Sequence, residues 1–313
     1  MTDVVLLFPG QGSQVPGMGK DLAARFPEAR ETFAAADDAI GAPLSQLCFE
    51  GPADELTLTH NAQPALLTHG AAIWSVIRAQ VGPRVVATAG HSLGEFSAYH
   101  AADALALPEA VRLVRRRGEL MYEVGLKRPG AMAAILGDMT TSIEDVCAQA
   151  ADAGVAVPAN YNCPGQVVIS GEAAGVERAM ALAKEAGAKR AIKLNVSGAF
   201  HSPLMADAAA GLEEALALVH LADPRFPVYA NVNAQPVTDA ALARKLLVQQ
   251  LTSPVQWQRE IQAIAELHPG ALFIEMGPGS VLKGLVKKIA PSVEMVTCGT
   301  AVDVDSLLTR MAA

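Results

Sequence analysis

Short unbroken apolar runs alternate along the chain with longer amphipathic stretches. Val4–Phe8 is a continuous apolar run, as expected of a parallel strand buried on both faces. It leads straight into the loop Pro9-Gly-Gln-Gly-Ser13. Helical periodicity follows over 20–39 and 63–80, then a strand over 84–89, a helix over 93–102 and an Arg-rich amphipathic helix over 108–124. Residues 130–196 read differently: strand 131–136, helix 142–153, strands 155–160 and 166–170 around a Pro-Gly turn, helix 172–186 and strand 190–196. That order is β-α-β-β-α-β, the ferredoxin-like unit. The larger pattern then resumes with helix 203–218, strand 227–231, helices 240–251 and 258–266, strand 271–276 and a helix ending near Ile289.

Alternating strands and helices predict an α/β fold. The pattern divides the chain into a large, mostly parallel, α/β-hydrolase-like domain formed by 1–127 and 198–313. A ferredoxin-like subdomain, 128–197, is inserted into it. Composition narrows the function classes. The chain has 313 residues, 51% hydrophobic and 18% charged, with a formal net charge of −8. This acidic balance, without a Lys/Arg-rich tail, argues against nucleic-acid binding. The mean hydropathy of +0.27 raises a membrane reading. No run of about 18 apolar residues supports it, and the start reads as a strand rather than a signal peptide. Four scattered cysteines (Cys48, Cys147, Cys163 and Cys298) form no CxxC, so no disulfide framework or zinc site is expected. A reducing cytoplasm is the expected setting.

Candidate chemistry concentrates at Gly90-His-Ser-Leu-Gly94, a G-x-S-x-G nucleophile elbow between a predicted strand and a predicted helix. A sharp turn there lifts the Ser92 hydroxyl above the sheet. It also leaves the Leu93 N–H, at the helix N-terminus, facing the place where an oxyanion would form. An ordinary turn serine is the bland alternative. A nucleophilic serine needs a base. Of seven histidines, His201 lies where the insert returns to the large domain, a position that could wall a cleft. A structural loop histidine is the competing reading. The run Arg115-Arg-Arg117 sits on a helix; such runs are usually solvated, but side chains about 100° apart allow one to face inward.

Taken together, these segments resemble the malonyl-CoA:acyl-carrier-protein transacylase family, the discrete acyltransferases of type II fatty-acid synthesis and their polyketide-synthase relatives. The likeness spans essentially the whole chain. It is carried by Phe8-Pro-Gly-Gln-Gly-Ser-Gln14, Asn61-Ala-Gln-Pro-Ala65, Gly90-His-Ser-Leu-Gly-Glu95 and Arg117-Gly118. Tyr161-Asn-Cys-Pro-Gly-Gln166, Ala199-Phe-His-Ser202, Gln250-Leu-Thr-Ser-Pro-Val-Gln-Trp257 and Glu275-Met-Gly-Pro-Gly279 complete it.

The resemblance implies Ser92 as nucleophile and His201 as general base, oriented by the main-chain carbonyl of Gln250. It implies main-chain N–H groups of Gln11 and Leu93 as the oxyanion hole, and Arg117 as the clamp for a malonyl carboxylate. Gln63 is implied as a pocket residue, with packing beside Pro64 as the alternative, and Asn162 as a residue bounding the site from the small subdomain. Phe200 is a bulky residue resembling malonyl-selective members. Arg115 and Arg116 are expected at the surface. The implied partners are malonyl-CoA and acyl carrier protein, with no metal or redox cofactor, and the family is often monomeric. The rivals are a trans-acting polyketide acyltransferase and, from another class, a serine esterase or thioesterase, which would have no need of Arg117.

Overall fold

The computed structural model describes residues 2–196 and 198–312. Ten strands are present among them: β1 Val4–Phe8, β2 Val85–Gly90, β3 Gly130–Leu136, β4 Ala156–Cys163, β5 Gln166–Glu172, β6 Arg190–Lys193, β7 Val228–Tyr229, β8 Pro236–Val237, β9 Leu272–Met276 and β10 Glu294–Cys298. Six of them make one sheet in the order β10-β9-β1-β2-β7-β8. All its pairings are parallel except β7 with β8. Every residue of β1 and of β9 is buried. The alternation is visible in the packing. Val4, Leu6 and Phe8 join one core with Ile73, Leu93 and Phe96, while Val5 and Leu7 join another with Phe273, Val255 and Trp257. Helices therefore cover both faces, which is why this strand reads as an unbroken apolar run.

The other four strands form an antiparallel sheet, β4-β5-β3-β6. Helices Ile143–Gln149 and Ala173–Glu185 cross between its strands, giving the βαββαβ unit. Its two faces have different partners. Ala131, Ala133, Ile135 and Ile169 pack under the two helices, whereas Met132, Ala159 and Val168 join the core of the larger body. Backbone bonds from Tyr161 N to Val255 O (2.9 Å) and from Val255 N to Ala159 O (2.8 Å) tie the small sheet to it. Ser197, the last residue of the insert as drawn from sequence, lies outside the described residues.

Several elements differ from the sequence expectation. The helix expected over 20–39 is two, Lys20–Arg25 and Pro27–Ile40. Pro27 disfavours a helical Phe26, which sits at φ −116°, ψ 121°. The helix expected from 203 begins with a 3₁₀ turn, Pro203–Met205, and the strand expected over 227–231 shortens to Val228–Tyr229. Short helices Leu44–Glu50 and Ala53–Thr57, edge strand β10 and the helix Ala301–Ala312 were not legible from pattern. No helix among the described residues is long and apolar enough to cross a membrane.

Candidate active site

The elbow forms where β2 meets the helix Leu93–Ala101. Ser92 takes φ 52°, ψ −105°, a strained conformation for a residue with a side chain. Crowding explains the flanking glycines: a Cβ on Gly90 would lie 1.9 Å from the Gly94 carbonyl, and one on Gly94 2.1 Å from Phe8 O. The loop after β1 packs on this turn, bringing Gln11 beside Ser92 and Leu93 in one cavity of about 140 Å³. The strained turn is held by Asn231, whose Oδ1 accepts the Ser92 N–H at 2.8 Å and whose Nδ2 donates to Gly90 O at 2.8 Å.

The insert's return loop supplies His201, itself at φ 55°. Its Nε2 lies 2.8 Å from Ser92 Oγ, and its Nδ1 lies 2.9 Å from Gln250 O. A carbonyl only accepts, so the proton sits on Nδ1 and the Nε2 lone pair faces the serine. Burial, aided by the charge of Arg117, pulls the His201 pKa down to about 3, and the Gln250 carbonyl pulls weakly the other way. The imidazole is thus a neutral acceptor at ordinary pH.

Arg117 lies on the inward face of the helix Leu107–Lys127, in line with Val114 and Met121. Gly118 lets that helix press against its neighbour Thr59–Val81, since a Cβ there would lie 2.6 Å from His60 Cα. This close crossing lets Arg117 donate to Gln63 Oε1 at 2.7 Å. It also donates to Gln250 Oε1 (2.8 Å) and to Ser92 Oγ (3.1 Å). Its guanidinium lies over the Phe96 ring, 5.3 Å from the centroid, and its buried Nε has no partner among the described residues. Burial lowers its pKa to about 10 while the charge of Glu95 holds it up. Ser92 Oγ therefore sits between a base that can take its proton and a cation that favours the resulting alkoxide.

Gln63, Phe200, Met121, Met132 and Asn160 are also on the cavity wall. Asn162 is not on that wall. It reaches the site through His91, whose Nε2 is 2.8 Å from Asn162 Oδ1; Asn160, two residues earlier on β4, faces the cavity instead. Arg115 is less free than a surface residue, because it holds His60 O at 3.1 Å and pairs with Glu119. Arg116 is at the surface with Glu119 and Glu123.

Sequence reasoning missed a buried polar layer beneath the elbow. Gln250 Nε2 donates to Glu95 Oε2 (2.7 Å), Ser92 O (3.0 Å) and Asn231 Oδ1 (3.2 Å). Asn231 Nδ2 also contacts both oxygens of Glu260, at 3.1 and 3.2 Å. Glu95 and Gln250 lie inside motifs read from sequence, but only the Gln250 main chain was given a role there; Asn231 and Glu260 lie in none.

This geometry defines an α/β protein with a serine–histidine pair on a nucleophile elbow and a buried arginine facing the same cavity. Residues 5–303 match the family described as acyl transferase domain, and the chain belongs to that family. It is 50% identical over 291 residues to the malonyl CoA-acyl carrier protein transacylase of Bacillus subtilis (strain 168), covering 92% of this chain and 91% of that protein. Identity to the transacylase of Escherichia coli (strain K12) is 46% over 289 residues, covering 92% and 93%. Among solved structures, the acyl-carrier-protein-S-malonyltransferase of Bartonella henselae superposes with a TM-score of 0.94 at 42% identity, covering 99% of this chain and 100% of that one. A malonyl-transacylase in complex with its type II polyketide acyl-carrier protein gives 0.93 at 40% identity, covering 99% and 100%.

Proposed function

We propose that this chain moves a malonyl group from malonyl-CoA to the phosphopantetheine thiol of an acyl carrier protein, acting as an [acyl-carrier-protein] S-malonyltransferase. The observation that carries this reading is the buried Arg117 in the same small cavity as the Ser92–His201 pair. A simple hydrolase has no use for a guanidinium there, whereas a malonyl thioester ends in a carboxylate that such a group can hold with two hydrogen bonds.

The reaction runs in two halves. As Ser92 Oγ attacks the thioester carbonyl, its proton passes to His201 Nε2. The carbonyl oxygen becomes an oxyanion facing the N–H groups of Gln11 and Leu93, where each well-placed donor is worth about 3 kcal/mol in the transition state. The C–S bond breaks, the coenzyme A thiolate takes the proton from His201, and a malonyl-serine ester remains. In the second half His201 deprotonates the carrier-protein thiol. The thiolate attacks the ester, and Ser92 leaves with its proton restored. No step calls on a metal or redox cofactor. Gln250 O, bonded to Nδ1, keeps His201 in one tautomer; as a neutral acceptor it steadies the imidazolium less than a carboxylate would. Phe200, Met121 and Met132 limit the cavity to a short acyl group and help exclude water, which would otherwise hydrolyse the ester.

The likeness to a polyketide malonyl-transacylase leaves fatty-acid and polyketide carriers equally compatible with this site. The test is intact-protein mass measurement after incubation with malonyl-CoA, then with carrier proteins of both kinds. Wild type should gain a malonyl adduct and pass it to a carrier thiol, while Ser92→Ala should gain none. An adduct on Ser92→Ala refutes the nucleophile. Release of free malonate in place of transfer would make the chain a thioesterase.

A further inference from the structure

Among the described residues Arg117 has three hydrogen-bond partners, Gln63 Oε1, Ser92 Oγ and Gln250 Oε1, and all are neutral oxygens. A fully buried cation without a counter-charge is costly, so the charge must be balanced nearby. The Gln250 amide shows where. Its Oε1 faces Arg117, which can only donate. Its Nε2 faces the Ser92 carbonyl and Glu95 Oε2, which accept. The amide is therefore fixed in one sense, with a guanidinium at one end and a carboxylate at the other.

Glu95 is fully buried in the first turn of the helix after Ser92, where the helix dipole favours an anion. Its Oε2 also accepts from Asn231 N at 3.1 Å. Burial raises its pKa to about 7, opposed by Gln250, Asn231 and the charge of Arg117. The neighbouring carboxyl, Glu260, is pushed well above the carboxylate range by burial and by the charge of Glu95, so it stays neutral. Two close carboxyls rarely ionise together in such a site.

We propose that Glu95 is the counter-ion of Arg117, held at one remove by the Gln250 amide, and that it sets how tightly the cavity holds a carboxylate. A direct ion pair would occupy the guanidinium edge that a malonyl group needs. A lone cation would bind that group too firmly for release. The interposed amide keeps Arg117 charged while its Nε carries no partner among the described residues. Glu95 is thus a positioning residue, and the carboxylate half of this inference rests on the malonyl reading.

The test compares wild type, Glu95→Gln and the double variant Glu95→Gln/Arg117→Met at pH 8, with sodium malonate against sodium chloride of equal ionic strength. Glu95→Gln keeps the size and, through its carbonyl oxygen, the bonds accepted from Gln250 and Asn231, but removes the charge. It should melt below wild type and bind malonate at least several-fold more tightly. Its KM for malonyl-CoA should fall while that for acetyl-CoA stays put, a split that a purely structural role would not produce. Removing the cation as well should restore stability and abolish the malonate response. An unchanged or weaker malonate affinity in Glu95→Gln overturns the proposal. So does a double variant no more stable than the single one. If Glu95→Gln does not fold, a folded double variant supports the proposal, and failure of both overturns it. If wild type ignores malonate altogether, the malonyl reading fails, and the counter-ion assignment is decided by the stability rescue alone.

Discussion

Arg117 carries two relationships at once. It donates to Ser92 Oγ and to two side-chain amides, yet its Nε has no partner among the described residues. An incoming carboxylate would satisfy that donor. Truncating Arg117 should therefore separate acyl donors. Arg117→Ala is expected to lose malonyl transfer by at least about 100-fold, since a charge-assisted hydrogen-bonded pair is worth about 3 kcal/mol or more. Acetyl transfer should persist or rise. Parallel steady-state measurements with malonyl-CoA and acetyl-CoA check this, and equal losses would make Arg117 structural. Ser92 was legible because its signal is local, a five-residue motif between a strand and a helix. Asn231 and Glu260 were not. Asn231 bonds Ser92 across 139 positions and Glu260 across 29, and no spacing along a chain encodes such pairs.

At the scale of elements, the elbow works because three backbones approach more closely than side chains permit. Gly94 lies against the β1 end at Phe8 O, and backbone cannot move aside as a flexible side chain can. Gly94→Ala should destabilise the protein by about 3 kcal/mol or more, beyond the usual range for overpacking a side-chain core. It should also reduce acylation, because the same contact sets the angle at Ser92. Urea denaturation midpoints and the rate of adduct formation would show both. A fully stable Gly94→Ala would mean that the loop after β1 is freer than its packing indicates. The strands and long helices were legible from periodicity, including the βαββαβ insert. The break at Phe26, the 3₁₀ turn after Ser202 and the edge strand β10 were not. The break is local, since Pro27 holds Phe26 out of the helical region. β10 is only partly buried, so its apolar signal is weak.

Across the whole molecule, burial sets the pH response. His69 is fully buried in the core, and burial lowers its pKa to about 4, against weaker upward pulls from Asp21 and the Gly299 backbone. The folded state holds it neutral while the unfolded chain protonates it below about 6.5. The stability it contributes is therefore complete above that pH and lost as pH falls towards 4. Glu95 and Glu260 are shifted upward and oppose this, so the whole-protein curve is muted and a difference measurement is needed. Relative to His69→Gln, wild type should lose up to about 3 kcal/mol between pH 7 and pH 4, at about 1.4 kcal/mol per pH unit per group. Urea midpoints of the two proteins at both pH values check it, and a constant difference would show that His69 titrates normally.

The sequence by itself determined the alternation of elements, the two-sheet plan and the elbow serine. Its motifs, in order, pointed to the acyltransferase family and to the residues proposed for its chemistry. These follow from near-neighbour rules: side-chain period, turn chemistry and short motifs whose geometry is local. Only the tertiary structure decided that Asn160 rather than Asn162 walls the cavity, and that Arg115 is tied to the helix Thr59–Val81. It alone placed Glu95, Asn231, Gln250 and Glu260 in one buried layer under Ser92. Charge compensation and cavity shape depend on which distant segments share a low-dielectric interior, and that is set by packing rather than by order along the chain.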